Sequence, residues 1–243
     1  MKISKSITTL LCGTLIVFGL TSCAKDDDTL TPDKLTDEEV VELVEASLQK
    51  STGGLNQTTA MYSEELTTNI TLNELCGSLY QETFPYSIND AYIQAEYIFD
   101  GSYQINCTSL NIPETVELNV VTTGTYSTRR IESNDVSQTS FTISGLEFAS
   151  DAYLFNGNFI KEGNQQITMN QKTRSVYSAV YVELTNLAVD KVNYQIISGN
   201  ATLTLTGNTN QINSFSFEGT IIFNGNRTAT LTLSGNAYEI NLD

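Results

Sequence analysis

Few side chains in this sequence could catalyse a reaction, and histidine is absent altogether. Without histidine, Ser-His-Asp and Cys-His nucleophiles and histidine-ligated zinc sites are excluded. Ser47-Leu48-Gln49-Lys50 fits the Ser-x-x-Lys pattern of a serine nucleophile with a lysine base, but its partner motifs Ser-Asp-Asn and Lys-Thr-Gly do not occur. We therefore predict that the protein is not an enzyme, with a carboxylate-based glycosidase as the alternative.

Carboxylates are the remaining catalytic groups, since glycosidases on β scaffolds often carry two acids on one strand face, as in Glu-x-Asp-x-x-Glu. No such cluster occurs here. The acids of the strand-like segments stand singly along the chain, at Glu96, Glu117, Glu183, Glu218 and Glu239. We predict that each is a solvated residue on a polar sheet face. The prediction is thus no catalytic residue, no metal site and no cofactor.

Aromatic side chains offer a different chemistry, the stacking of sugar rings. Tyr177 with Tyr181, and Tyr153 with Phe159, could each form such a platform. Core or cross-strand packing is the alternative for both pairs. Arg129-Arg130 is a basic pair in an acidic sequence, and it could meet an anion or simply lie exposed at a strand end.

The amino terminus has the pattern of a secretory signal peptide. Lys2 and Lys5 precede an apolar run over residues 7–20, which at about 14 residues is too short for a comfortable transmembrane span. Small residues then lead to Cys23. This arrangement resembles the bacterial lipobox, which implies that residues 1–22 are removed and that Cys23 is lipidated. An ordinary signal peptide with an incidental cysteine is the alternative.

Residues 23–34 comprise this cysteine and an acidic tether that should stay extended and solvated. Asp28-Thr29-Leu30 resembles the short O-glycosylation motif of the Bacteroidota, which implies a glycan on Thr29. The residues after the anchor resemble the export signal of surface lipoproteins in that phylum: Lys25, Asp26, Asp27 and Asp28. That resemblance implies display on the outer leaflet of the outer membrane. A plain spacer on the periplasmic face is the alternative.

Two further cysteines, Cys76 and Cys107, remain once Cys12 leaves with the signal peptide. In an exported chain a disulfide is the default for such a pair. Closing this loop would contribute about 3–4 kcal/mol to stability in the chain-entropy model. Two separately buried thiols are the alternative.

Residues 35–243 are predicted to form a single domain that begins with an amphipathic helix over residues 36–50. Thr36 and Glu39 form a capping box. An apolar stripe follows at helical spacing: Val40, Leu43, Val44 and Leu48. Residues 55–90 show no clear period, and Pro85 excludes a central strand there. We predict that this region is irregular and held by the disulfide.

A period of two governs residues 91–243 and predicts about ten to twelve strands. Gly and Asn pairs predict tight turns, among them residues 100–101, 156–158, 199–200, 207–208, 224–226 and 235–236. Such turns join antiparallel neighbours. The predicted fold is therefore all-β, an antiparallel meander arranged as a sandwich or as a curled, half-barrel sheet. Its apolar face packs against itself or against the helix.

The charge balance limits the partners. The chain has 12 basic and 28 acidic residues and a net charge of −16, which disfavours nucleic acid and bare anionic lipid. Membrane attachment is expected through the lipid anchor alone. A protein, a glycan and an apolar small molecule all stay open as partners, as does the oligomeric state.

Segments 145–148, 219–223 and 235–240 resemble a group of uncharacterised Bacteroidota lipoproteins. The resemblance implies an outer-membrane address and a β body, and it assigns no functional residue. The sequence thus predicts a lipid-anchored, surface-exposed protein with a non-enzymatic binding or structural role. A carrier or sensor of an apolar ligand, similar to lipocalins or periplasmic lipoprotein carriers, is the second possibility, and a glycan-active enzyme is the third.

Overall fold

The first helix begins where the capping box predicts. In the computed structural model, which describes residues 34–68, 76–169 and 171–243, helix α1 spans Asp37–Leu48. The Thr36 hydroxyl accepts a hydrogen bond from the Glu39 backbone N–H at 3.2 Å, and the Glu39 carboxylate accepts one from the Thr36 N–H at 2.8 Å. The whole predicted stripe is buried: Val40, Leu43, Val44 and Leu48. The predicted helix is confirmed.

A second helix, α2 (Leu55–Thr68), lies in the stretch predicted to be irregular. Ten of its fourteen residues are buried, and many of these are polar, including Asn56, Gln57 and Ser63. Its burial comes from packing against the sheet and not from an apolar stripe, so the sequence carries no helical period there. The prediction of irregular structure is wrong for this segment.

Ten strands form one sheet in which spatial order follows chain order, and neighbouring strands pair antiparallel. The all-β meander is confirmed, as a single open sheet and not as a sandwich. The strands are β1 (Leu79–Asn89), β2 (Ile93–Cys107), β3 (Pro113–Thr128), β4 (Ile131–Ser144), β5 (Ala152–Met169), β6 (Lys172–Asp190), β7 (Ile196–Thr209), β8 (Phe215–Gly225), β9 (Thr228–Leu233) and β10 (Asn236–Asn241).

Strand β1 is the second correction to the region 55–90. It pairs with β2 along its full length, with Pro85 opposite Ile98. A proline fits in this position because β1 is an edge strand of the sheet, and among the described residues one side of its backbone has no neighbouring strand to bond. Residues 69–75, between α2 and β1, lie outside the described part of the chain.

Four of the predicted turns are wrong, since residues 100–101 lie inside β2, residues 156–158 inside β5, and the turns predicted at residues 199–200 and 207–208 both lie inside β7. A Cβ at Gly101 would collide with the hydroxyl of Tyr62 from α2. Gly157 has a φ of 131° at a bulge in β5. Gly101 therefore allows the close approach of Tyr62, and Gly157 allows the bulge in β5. The turns predicted at residues 224–226 and 235–236 are confirmed, joining β8 to β9 and β9 to β10.

The sheet has a buried inner face and a solvated outer face, because successive side chains alternate along every strand. Helices α1 and α2 pack on the inner face of the sheet. Large, fully buried side chains of that face are Phe99, Phe141, Phe155 and Phe159. Both edge strands reach the helices. The Tyr86 hydroxyl of β1 donates to the Lys50 carbonyl at 3.2 Å, and the Asn56 amide donates to the Leu242 carbonyl, just after β10, at 2.7 Å. The open sheet thus curls around its two helices.

Candidate functional site

The predicted anchor and export residues, Cys23, Lys25, Asp26, Asp27, Asp28 and Thr29, lie outside the described residues. Lipidation, export and O-glycosylation therefore stay predictions.

The predicted disulfide is confirmed. Cys76 and Cys107 are bonded, with an S–S distance of 2.00 Å and Cα atoms 5.7 Å apart. Cys76 also forms an isolated β-bridge with Ile105. The bond therefore fixes the segment before β1 to the end of β2, and the alternative of two separate thiols is wrong.

The catalytic patterns of the sequence do not assemble into a site. Ser47 is buried, and its hydroxyl donates to the Leu43 carbonyl at 2.8 Å. The five single strand acids all lie exposed on the outer face, each on a different strand: Glu96, Glu117, Glu183, Glu218 and Glu239. Their positions match the predicted solvated sheet face.

The two aromatic pairs separate onto opposite faces. Tyr153 and Phe159 are buried on the inner face, which agrees with the core alternative for that pair. Tyr177 and Tyr181 stand on the outer face of β6 and are 38% and 37% exposed. Only the β6 pair can meet a ligand from solution.

The basic pair Arg129-Arg130 lies between β3 and β4. The Arg130 guanidinium lies 2.9 Å from the Glu42 carboxylate of α1, and the Arg129 guanidinium sits 5.9 Å from the centre of the Tyr92 ring. Both side chains are thus engaged within the protein at the rim of the sheet.

An ion pair that the sequence analysis missed is buried on the inner face. The Lys161 ammonium of β5 lies 3.3 Å from the Asp135 carboxylate of β4, and the two side chains are 4% and 1% exposed. The Tyr97 hydroxyl donates to both Asp135 oxygens at 3.1 Å, and the Ser133 hydroxyl donates at 2.8 Å. Lys161 also donates to the Thr52 carbonyl, between the two helices, at 2.7 Å.

Burial governs the protonation of this cluster. Loss of water lowers the pKa of Lys161, and the Asp135 charge opposes that effect. Loss of water, followed by the Asp135 charge, raises the pKa of Tyr97. Because the cluster is enclosed, its evident role is to fasten the helix connection to the sheet. A signal did exist, since Asp135 and Lys161 occupy inner-face positions in the alternating pattern.

Two carboxyl groups meet where α2 packs on β1. The Glu82 side chain lies close enough to Glu65 of α2 and to Tyr103 of β2 to interact with both. Burial, and next the Glu65 charge, raise the pKa of Glu82. Glu82 Oε2 and the Tyr62 hydroxyl are buried without a hydrogen-bond partner in the described part of the chain. The contact between this helix and the edge strand is therefore sensitive to protonation.

The outer face carries an accessible polar surface, which we call the polar row. It runs across six strands through residues that pair directly with one another: Glu96, Thr125, Asn134, Asn164, Tyr177 and Asn208. A cleft of about 630 Å³ covers its β2–β5 part, and a second of about 380 Å³ covers its β5–β7 part. Asn164 and Gln166 line both clefts, so the two form one trough.

Most amides of this trough are available to a ligand. Eight amides line it, and one of them, Gln165, is buried and hydrogen-bonded to Ser178. Within the described residues, the side chains of the other seven hydrogen-bond to no other protein group: Asn89, Gln94, Asn134, Asn164, Gln166, Asn208 and Asn210. Tyr177 is oriented by a hydrogen bond from its hydroxyl to Glu162 at 3.0 Å. The trough therefore offers free donors and acceptors around one positioned aromatic ring.

Charge is segregated between the two faces. Outer-face strand positions hold eight acids, Glu96, Asp100, Glu117, Glu132, Glu162, Glu183, Glu218 and Glu239. The Lys and Arg residues of the described strands, Lys161, Lys172 and Arg174, all fall at inner-face positions. The charged residues at outer-face strand positions are therefore all acidic in the described part of the chain.

No protein family, curated protein or solved structure matches the chain. Among the described residues, no helix is long and apolar enough to cross a membrane. The same residues contain no group of three or more Cys, Asp or Glu side chains placed to hold a metal ion. The polar row is thus the candidate site on geometry alone.

Proposed function

We propose that the protein is a lipid-anchored outer-membrane protein, displayed at the cell surface, that binds a partner on the outer face of its sheet without transforming it. The division of the sheet carries this proposal. Helices and core side chains fill the inner face, whereas the outer face presents a trough lined by seven amides with no protein partner in the described chain. A partner can therefore bind the outer face of the sheet.

The amino-terminal residues support the proposed location at the cell surface. The apolar run before Cys23 and the acidic residues after it resemble the anchor and export signals of surface lipoproteins. Lipid attachment at one cysteine supplies several acyl chains, which exceeds the two membrane signals needed for stable anchoring. A strongly acidic body also remains soluble when exposed.

The packing of the inner face favours this role over an apolar-ligand carrier. A carrier of that kind needs room inside its curled sheet. Here Phe99, Phe155 and Phe159 are fully buried beneath the helices, and the Lys161–Asp135 ion pair ties the helix connection in place. The interior is occupied by the protein itself.

The trough acids favour binding over hydrolysis. Glu96 and Glu132 line the trough from β2 and β4, and both are exposed. In the described part of the chain neither side chain has a hydrogen-bond partner that would orient it for acid–base work. A glycan-active enzyme is therefore less well supported than a binding protein.

Attachment and display can be tested together in cells that export the protein. We expect the parent protein in the membrane fraction after a salt wash, and Cys23→Ala in the soluble fraction. On intact cells the parent should be cleaved by added protease. The triple variant Asp26→Ala, Asp27→Ala, Asp28→Ala should stay membrane-bound but become protected. Retention of Cys23→Ala in the washed membranes would refute the anchor, and a shielded parent would refute display.

A further inference from the structure

We infer that the polar row takes a neutral glycan, lying across the strands from β2 to β7. This inference rests on the proposed binding role of the outer face and names the ligand class of that site. Neighbouring strands are about 4.8 Å apart, so a row of six strands spans about 24 Å. That length accommodates several sugar residues of an extended chain.

The side chains of the trough match sugar hydroxyls. A hydroxyl both donates and accepts, and so does a carboxamide, so amides at successive strands can bond successive sugars. Asn134 and Asn164 face each other directly across β4 and β5, and Tyr177 is the next residue in the row. The exposed ring of Tyr177 provides the apolar surface on which a sugar ring can stack.

The acidic residues of the trough favour neutral glycans over anionic ones. Glu96, Glu132 and Glu162 lie in or beside the trough, and the cations of the described strands are at inner-face positions. Sulfated or uronate chains would meet like charge without a compensating cation, which costs affinity. A chain without charge bonds the same amides and meets no such repulsion.

The position of the row in the sheet disfavours an extended peptide. Peptides usually bind sheets by adding a strand at an exposed edge, where backbone groups are free. The polar row crosses β2 to β7, and each of these strands is paired on both sides. Only side chains are offered there, which suits hydroxyls better than a peptide backbone.

The test uses the purified full-length protein in detergent micelles and affinity electrophoresis. The gels contain a soluble neutral polysaccharide (xyloglucan, glucomannan, arabinoxylan, galactan or glycogen) or an anionic one (heparin or polygalacturonate). We expect retardation by at least one neutral polysaccharide and by neither anionic one. Tyr177→Ala should weaken that binding by about tenfold or more, because truncating a central aromatic contact removes most of its contribution. Asn134→Ala should weaken it by a smaller factor.

The chain offers matched controls. Tyr181 lies on the same strand and face with nearly the same exposure as Tyr177, but outside the trough, and Asn119 is an outer-face amide that lines a separate cleft. Tyr181→Ala and Asn119→Ala should bind as the parent does. Failure of all five neutral polysaccharides, stronger binding to heparin, or equal loss in Tyr177→Ala and Tyr181→Ala would overturn the inference. If membrane attachment and display still hold, that failure removes only the ligand class.

Discussion

Lys161 is almost completely buried, and three oxygen atoms lie close to its ammonium group. The Asp135 carboxylate lies 3.3 Å away, the Thr52 carbonyl 2.7 Å and the Tyr97 hydroxyl 3.4 Å. Removing water from an ion costs several kcal/mol, which only such close and complete pairing offsets. Ser133 and Ser137 flank Asp135 along β4, and Ser137 pairs with Lys161, whereas the apolar Val180 of β6 pairs with Lys161 from the other side.

Replacing Lys161 with Met should destabilise the protein by about 3–5 kcal/mol, because Asp135 would then be a buried charge without its partner. The double variant Lys161→Met, Asp135→Asn should recover part of that loss. Urea unfolding at pH 7 measures both. Lys191→Met is the control, since its ammonium lies near the surface and its loss should change the free energy of unfolding by less than about 1 kcal/mol. Equal effects at positions 161 and 191 would contradict the role given to the pair.

At the scale of elements, the contact between α2 and β1 depends on a pair of acids. Glu82 of β1 meets Glu65 of α2, with Tyr62 and Tyr103 on either side. The raised pKa of Glu82 means that the folded protein binds this proton more tightly than the unfolded chain does. The resulting stabilisation is complete below the ordinary carboxyl pKa and is lost as the pH rises through the raised pKa.

Glu82→Gln should therefore be more stable than the parent at pH 7.5, by roughly 2–4 °C in Tm, and the difference should shrink as the pH falls toward 4.5. The glutamine keeps the shape of the protonated acid and cannot repel Glu65. Thermal unfolding between pH 4.5 and 8 gives the comparison. Glu96→Gln changes an exposed acid on the opposite face and should raise the Tm by less than Glu82→Gln does. A Tm difference that stays constant with pH would refute the coupling.

Periodicity in the sequence predicted α1 and the meander because their apolar residues repeat every 3.6 or every two positions. It failed at α2, whose buried face contains Asn56, Gln57 and Ser63, since only the sheet that covers it reveals that burial. Glycine also misled the turn assignment at Gly101, where the true requirement is room for Tyr62. Contacts of this kind form between segments that are far apart in the chain, so they leave no local pattern in the sequence.

The sequence predicted only part of the polar row. The pattern identified Tyr177 and Tyr181 as candidates, and alternation put them on one face. Register then separated them, because strand pairing sets Tyr177 between Asn164 and Asn208 and sets Tyr181 between Ile160 and Thr204. Pairing register depends on turns and bulges along the whole meander, and one of those bulges, at residues 155–157, was predicted to be a turn.

At the scale of the whole molecule, the chain has a net charge of −16, and eight of its 28 acids lie on the outer face of the sheet. Repulsion among these acids is only partly screened, because the Debye length is about 10 Å at 0.1 M salt and about 3 Å at 1 M. The fold thus carries an electrostatic cost that depends on ionic strength.

Raising NaCl from about 0.02 M to 0.5 M should accordingly raise the Tm of the parent by a few degrees, as screening lowers this repulsion. The double variant Glu117→Lys, Glu183→Lys, at exposed outer-face positions on β3 and β6, should be more stable than the parent at low salt and respond less to added salt. Calorimetry over a salt series provides the measurement. A parent whose Tm is flat across that range would show that the acids are too far apart to interact.

The hydrogen bonds to Leu242 impose an order on folding. Its carbonyl accepts from the Lys50 backbone and the Asn56 amide, and the second contact joins residues 186 positions apart. Consecutive strands can pair as soon as each hairpin exists, yet α1 and α2 lack this partner until β10 has been made. Until then, the contacts to β1 and β5 hold the connection between the helices on the sheet. The carboxyl end of the chain thus completes the packing of the helices that stand at its amino end.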